Sequence, residues 1–349
     1  MVIAQSNTTF TPDAAIVIQG ANNIQTLAVA ERNLIEGTDN PDIIFGTPGN
    51  DEIRAKGGDD ILLGTTGDDL LDGGSGFDTV DYSNLGQAIT LLPRGAIGEG
   101  NSSGGQLQSI EKIVGAIGQQ NTIDGSNSTG GASFDINLGA NRLTVNNIPN
   151  IGSISFTVEN FVNVKGTPFD DSIIGSGGGN TLDGLGGNDT LTGGLGNDTL
   201  LGGDGNDILQ GTTNAPTVSS NEQDVLTGGS GSDRFIVGNA SGSFYKFAGD
   251  NDFAQITDFS SGDQIQLGTG DVYNVQRNDA GFDVFVVTNG VRDLIADVTV
   301  ITGMGTATNT NTAGFLAASD TTAVSVLDTL PEGNFQLTSG QTLGNFLGA

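Results

Sequence analysis

An aspartate recurs at every ninth position through two long stretches of this chain, with an aliphatic residue two places after it. Asp42, Asp51, Asp60, Asp69 and Asp78 are followed by Ile44, Ile53, Leu62, Leu71 and Val80. The register resumes with Asp171, Asn180, Asp189, Asp198 and Asp207, followed by Ile173, Leu182, Leu191, Leu200 and Leu209. An insertion, TTNAPTVSSNEQ, shifts the frame, and Asp224 with Leu226 and Asp233 with Phe235 restore the step. Most units open on glycine, as at Gly37, Gly46, Gly64 and Gly73, with Ala55 as an exception. A disordered linker has no reason to keep such a register, whereas a stacked solenoid needs one inward aliphatic per strand.

Two nonapeptides make one coil of 18 residues, with strands on opposite faces stacked about 4.7 to 4.9 Å apart. Asp42, Asp60 and Asp78 then share one edge, and Asp51 and Asp69 the other. Carboxylates that close repel by about 1 kcal/mol or more per pair even in high dielectric. Lysine and arginine cannot relieve this, because the chain has 11 of them against 41 acids and a net charge of -30. A divalent cation between turns can. With no histidine and no cysteine, the ligands are carboxylate and backbone carbonyl oxygens, which select calcium over zinc by type and over magnesium by number and flexibility.

The same composition excludes thiol and imidazole catalysis and argues against nucleic acid as a partner. No apolar run reaches the roughly 20 residues of a membrane span, and the N-terminus lacks the pattern of a secretory leader.

The units GGSGFDTVD (73–81), GGLGNDTLL (193–201) and GGDGNDILQ (202–210) resemble the RTX nonapeptide, a calcium-binding parallel β-roll repeat. The resemblance implies an all-β chain, a right-handed parallel β-roll in two calcium-binding blocks joined by a metal-free β segment, with a β-rich C-terminal cap. It implies several calcium ions held by Asp42, Asp51, Asp60, Asp69, Asp78, Asp171, Asp189, Asp198 and Asp207, extended by Asp224 and Asp233. Asn180, being neutral, weakens any site it lines. The adjacent Asp59 and Asp68 fall at a variable position and are expected only to add charge.

The expected organisation is an N-terminal segment at 1–36, a first block at 37–81 and a metal-free connector at 82–165. A second block follows at 166–236, with its insertion at 211–223, then a cap at 237–300 and a tail at 301–349. Asp250, Asp252, Asp258 and Asp263 in the cap are either solvated turn acids or one more calcium site. The tail, free of lysine and arginine, resembles the C-terminal signal of type I secretion; an ordinary flexible terminus is the alternative.

These readings converge on a secreted, non-enzymatic, calcium-dependent surface or matrix protein without an N-terminal leader. Its partners are calcium and either further copies, in a layer or filament, or surface polysaccharide. A calcium-dependent polysaccharide lyase or epimerase on a β-solenoid is the alternative, because carboxylate pairs survive the exclusion of histidine. A threonine row for ice binding does not form: Lys56 and Gly74 interrupt Thr38, Thr47 and Thr65.

Overall fold

The computed structural model describes residues 32–99, 105–212, 221–246 and 249–301, and the backbone of Phe335–Thr338 and Thr342–Gly344. Residues 1–31 of the expected N-terminal segment, the centre of the 211–223 insertion and most of the tail lie outside the described residues, whereas Asn33–Glu36 forms a strand. The chain is all-β: short strands stack in parallel, and no α-helix occurs among the described residues. It divides into two compact units, one of residues 1–122 with 156–161 and the other of 123–155 with 162–349.

In the first unit one parallel row runs through Asn33–Glu36, Asp51–Arg54, Leu70–Asp72 and Gln106–Gln108, pairing Ile35, Ile53, Leu71 and Leu107 in register. The other runs through Ile43–Phe45, Ile61–Leu63, Thr79–Asp81 and Lys112–Val114, pairing Ile44, Leu62, Val80 and Ile113. The 18-residue coil follows from this register. Each strand is only three or four residues long, so alternation turns a single side chain inward per strand, and Ile44, Ile53, Leu62 and Val80 are fully buried. The connector then departs from the coil: Ile89–Leu92 and Ala96–Glu99 form an antiparallel hairpin.

The second unit repeats the plan. One row pairs Val164, Leu182, Leu200, Leu226 and Ile256 in parallel, and the other Ile136, Ile173, Leu191, Leu209, Phe235 and Ile265. Leu226 and Phe235 keep their places although the coil that contains them is longer than 18 residues, because the insertion falls between the strands Ile208–Thr212 and Gln223–Ser230 and leaves their register intact. The parallel stack continues from Phe253–Phe259 to Val291–Val300, and antiparallel strands Gly281–Thr288 and Val272–Arg277 follow. Aromatic rings replace aliphatics there. Phe259 packs against Phe235 with centroids 6.3 Å apart and meets Phe282 edge-on at 5.9 Å.

One inward aliphatic per strand makes each a large share of the core. Leu200→Ala is expected to cost about 2 to 5 kcal/mol in urea denaturation with calcium present. Leu195→Ala, on a side chain that is 47% exposed, should stay within about 0.5 kcal/mol.

Candidate metal centre

Each register acid stands at the start of its strand or next to it, two places before the inward aliphatic, and its side chain turns back under its own glycine turn. All eleven aspartates of the register are buried, none more than 4% exposed. In eight of the eleven, one carboxylate oxygen plays the same role, accepting the backbone N–H of the register residue one coil earlier; Asp171 Oδ1 accepts Phe134 N instead, at 2.6 Å. Asp60 Oδ1 receives Asp42 N at 2.8 Å, Asp78 Oδ1 receives Asp60 N at 2.8 Å, and Asp69 Oδ1 receives Asp51 N at 2.9 Å. In the second unit Asp189 receives Asp171, Asp207 receives Asp189, Asp198 receives Asn180, Asp224 receives Asp198 and Asp233 receives Asp207, at 2.7 to 2.9 Å. The stacking of coils is thus built on charge-assisted hydrogen bonds.

The second oxygen divides the register. Oδ2 of Asp60, Asp78, Asp189, Asp198, Asp207 and Asp233 is buried with no hydrogen-bond partner. At the others it is engaged. Thr38 N donates to Asp42 Oδ2 at 2.7 Å, Thr47 N to Asp51 Oδ2 at 2.6 Å and Thr167 N to Asp171 Oδ2 at 2.6 Å. Asp69 Oδ2 accepts the Thr65 hydroxyl at 3.3 Å, and Asp224 Oδ2 accepts the buried Tyr245 hydroxyl at 2.6 Å.

The six orphaned oxygens fit a hard cation. Asp189 Oδ2 and the Gly202 carbonyl both fall in the space a Cβ on Gly184 would fill, as do Asp198 Oδ2 and the Gly211 carbonyl at Gly193. At these two turns carboxylate and carbonyl oxygen converge where the leading glycine leaves room; Asp171 Oδ2 and the Gly184 carbonyl converge likewise at Gly166. Among the described residues no three acids gather at one point. A bound ion would draw on single carboxylates and turn carbonyls, as flexible oxygen coordination of calcium permits.

Burial raises these acids. Desolvation above all, then neighbouring carboxylates, holds Asp189 and Asp198 at about 8 and Asp233 at about 7, and Asp60, Asp78 and Asp207 are raised too. The charged neighbours are Asp171 and Asp207 for Asp189, Asp224 and Glu222 for Asp198, and Asp263 and Asp207 for Asp233.

Several contributors escape the nine-residue spacing. Glu111 replaces an aspartate and accepts Asp78 N at 2.8 Å, and Asp263 extends the row by accepting Asp233 N at 2.9 Å. Asp252 accepts Glu222 N at 3.2 Å, and Asp258 takes the N–H groups of Gly228 and Gly229 at 2.9 and 2.7 Å. Asp252, Asp258 and Asp263 therefore continue the stack one by one, whereas Asp250 is exposed. Asp59 does more than add charge: its Oδ1 accepts Phe77 N at 2.9 Å, one rung of a second ladder. Asp170 to Asn188, Asn188 to Asn206 and Asn206 to Ser232 repeat that rung at 2.7 to 2.9 Å. The threonine closures are signalled in the sequence by Gly-Thr in place of Gly-Gly at the start of a unit.

The RTX calcium-binding nonapeptide repeat model matches residues 31–62, 45–80, 165–200, 174–209, 201–214 and 220–241. The chain carries RTX calcium-binding nonapeptide repeats between residues 31 and 241. Such repeats are calcium-binding and are characteristic of secreted proteins. No curated protein matches the chain. Among solved structures it is similar to the extracellular lipase LipA from Serratia marcescens, at 20% identity and a TM-score of 0.21. That match covers 78% of this chain and 38% of the lipase. No helix among the described residues of this chain is long and apolar enough to cross a membrane.

The raised acids fix a pH dependence. The metal-free fold holds protons up to about pH 7 to 8 at Asp233, Asp189 and Asp198, whereas the unfolded chain releases them near pH 4. The folded form binds more protons across that window, so its stability is full below about pH 4 and falls as pH rises toward 8. In chelator, thermal unfolding followed by circular dichroism should give a higher midpoint at pH 5 than at pH 8. With calcium present the carboxylates must be ionised, so the difference should shrink or reverse.

Proposed function

We propose that calcium held by register aspartates between stacked turns decides whether this chain folds, and that the folded roll serves outside the cell as a non-enzymatic surface or matrix component. The observation that carries the reading is the set of six buried carboxylate oxygens without a partner. Leaving a buried acceptor unpaired costs about 1 to 3 kcal/mol, more when it is charged, and an ion removes that cost at every such turn. The blocks at 37–81 and 166–236 are the calcium-dependent parts, and 237–300 is their cap.

Extracellular calcium sites work at roughly 10⁻⁴ to 10⁻³ M, so a chain of this kind stays largely metal-free in the cytosol and folds on export. A structural role agrees with a chain that has neither histidine nor cysteine. Assembly with further copies in a layer or filament is supported in the first unit. There Ile43–Phe45 ends its row among the described residues, and Phe45 and Ile61 are exposed on the outer face.

Calcium at about ten times its dissociation constant contributes about 1.4 kcal/mol per site. Several sites should therefore raise the thermal midpoint of the full chain by about 10 °C over chelator, with a gain of β-sheet circular dichroism. Magnesium at the same concentration should do much less. An equal midpoint in calcium and chelator would refute the reading, and light scattering in millimolar calcium tests the assembly.

A further inference from the structure

The turn residue directly after the leading position of each unit has one of two backbone conformations, and the choice tracks the state of the carboxylate below it. Above the six orphaned oxygens the residue is left-handed without exception: Lys56 at φ 80°, Gly74 at 92°, Leu185 at 71°, Gly194 at 126°, Gly203 at 111° and Gly229 at 96°. Thr38, Thr47, Thr65, Thr167, Ser176 and Thr212 hold that place in the other units, and none of them has positive φ. At Thr38, Thr47, Thr167 and Ser176 the backbone N–H points down onto the register side chain at 2.6 to 2.7 Å. In these four the peptide orientation closes the register oxygen from its own turn, whereas Asp69 is closed by the Thr65 hydroxyl and Asp224 by the Tyr245 hydroxyl.

Two of the open turns place side chains where strain results. A left-handed L-residue costs roughly 1 to 2 kcal/mol, and Lys56 and Leu185 are neither glycine nor asparagine. Strain retained beside an unpaired buried oxygen has a functional reading: the turn is held open for a ligand. Closed turns need none. Asn180 illustrates this, since its Oδ1 accepts Ser176 N at 2.6 Å while its Nδ2 donates to the Val162 carbonyl at 2.6 Å, leaving both amide atoms paired.

We infer that only the left-handed turns take calcium, so the ions of this chain sit at Asp60, Asp78, Asp189, Asp198, Asp207 and Asp233, and the turns at Asp42, Asp51, Asp69, Asp171, Asn180 and Asp224 close without metal. This rests on the calcium reading above and goes beyond it by dividing the repeats into two kinds. A unit opening Gly-Thr or Gly-Ser is a metal-independent rung, and a Gly-Gly unit is a metal-dependent one. Ala55-Lys56 and Gly184-Leu185 belong with the second kind by conformation despite their sequence.

The test is the calcium bound per full-length chain, by metal analysis after equilibrium dialysis at fixed free calcium. Asp189→Asn and Asp198→Asn should each lower it, and Asp51→Asn and Asp171→Asn should leave it unchanged. Equal loss from both pairs, or no loss from the first, overturns the division. Because Asp198→Asn could act by misfolding, Thr167→Gly provides a second arm: it gives a closed unit the Gly-Gly sequence and should raise bound calcium. No gain from a variant with wild-type circular dichroism in saturating calcium counts against the inference. A wild-type chain that binds no calcium defeats the calcium reading itself, an outcome distinct from equal loss in the variants.

Discussion

Everything in the roll depends on a buried carboxylate bonded to the backbone of the coil before it. Asp78 Oδ1 holds Asp60 N, and Asp60 Oδ1 holds Asp42 N, so the side chain substitutes for a ladder bond where the turn has ended and the strand has not begun. That bond fixes the aspartate two places before the inward aliphatic. It also brings Oδ2 under the first residue of the unit, where a Cβ would collide, and so demands glycine at positions such as Gly184 and Gly202. The repeat is one geometrical constraint expressed three times, as acid, aliphatic and glycine.

Periodicity makes the core legible. Ile44, Leu62 and Val80, or Leu182 and Leu200, are identifiable from sequence because a constant coil length places them at a constant interval, and the structure pairs them in parallel register. The acids that end the rows are not legible, for the same reason. Glu111 lies 33 residues beyond Asp78, and Asp263 lies 30 beyond Asp233, because hairpins and longer loops enter those coils. The bond keeps its geometry while the spacing that would announce it is lost.

Threonine shows a second limit of reading by position. Thr38, Thr47 and Thr65 stand beside the turns, where Lys56 and Gly74 deny them an outward row; their role is inward, on Asp42, Asp51 and Asp69. A hydroxyl beside a backbone N–H is a local partner for a carboxylate, and its signal is contained in two residues instead of nine. Asp59 is hidden in a similar way. Its neighbour Asp60 carries the periodic signal, but the Asp59 side chain holds Phe77 N of the next coil, and asparagine does the same from Asn188 and Asn206.

Two kinds of turn within each compact unit resolve a conflict in the electrostatics. If every register acid had an unpaired oxygen, the metal-free chain would carry a desolvated charge at each step, and no part of the stack could order before calcium arrived. Where Thr38, Thr47 and Thr167 supply N–H and hydroxyl groups, the acid keeps two partners and the rung can form on local bonds alone. Rungs with an orphaned oxygen then add to a surface that already presents the required backbone N–H. Calcium dependence need not be uniform for folding to depend on calcium. It suffices that Asp189, Asp207 and Asp233, consecutive on one row, keep an unpaired oxygen between Asp171 and Asp263, whose second oxygens are closed by Thr167 and Ser260.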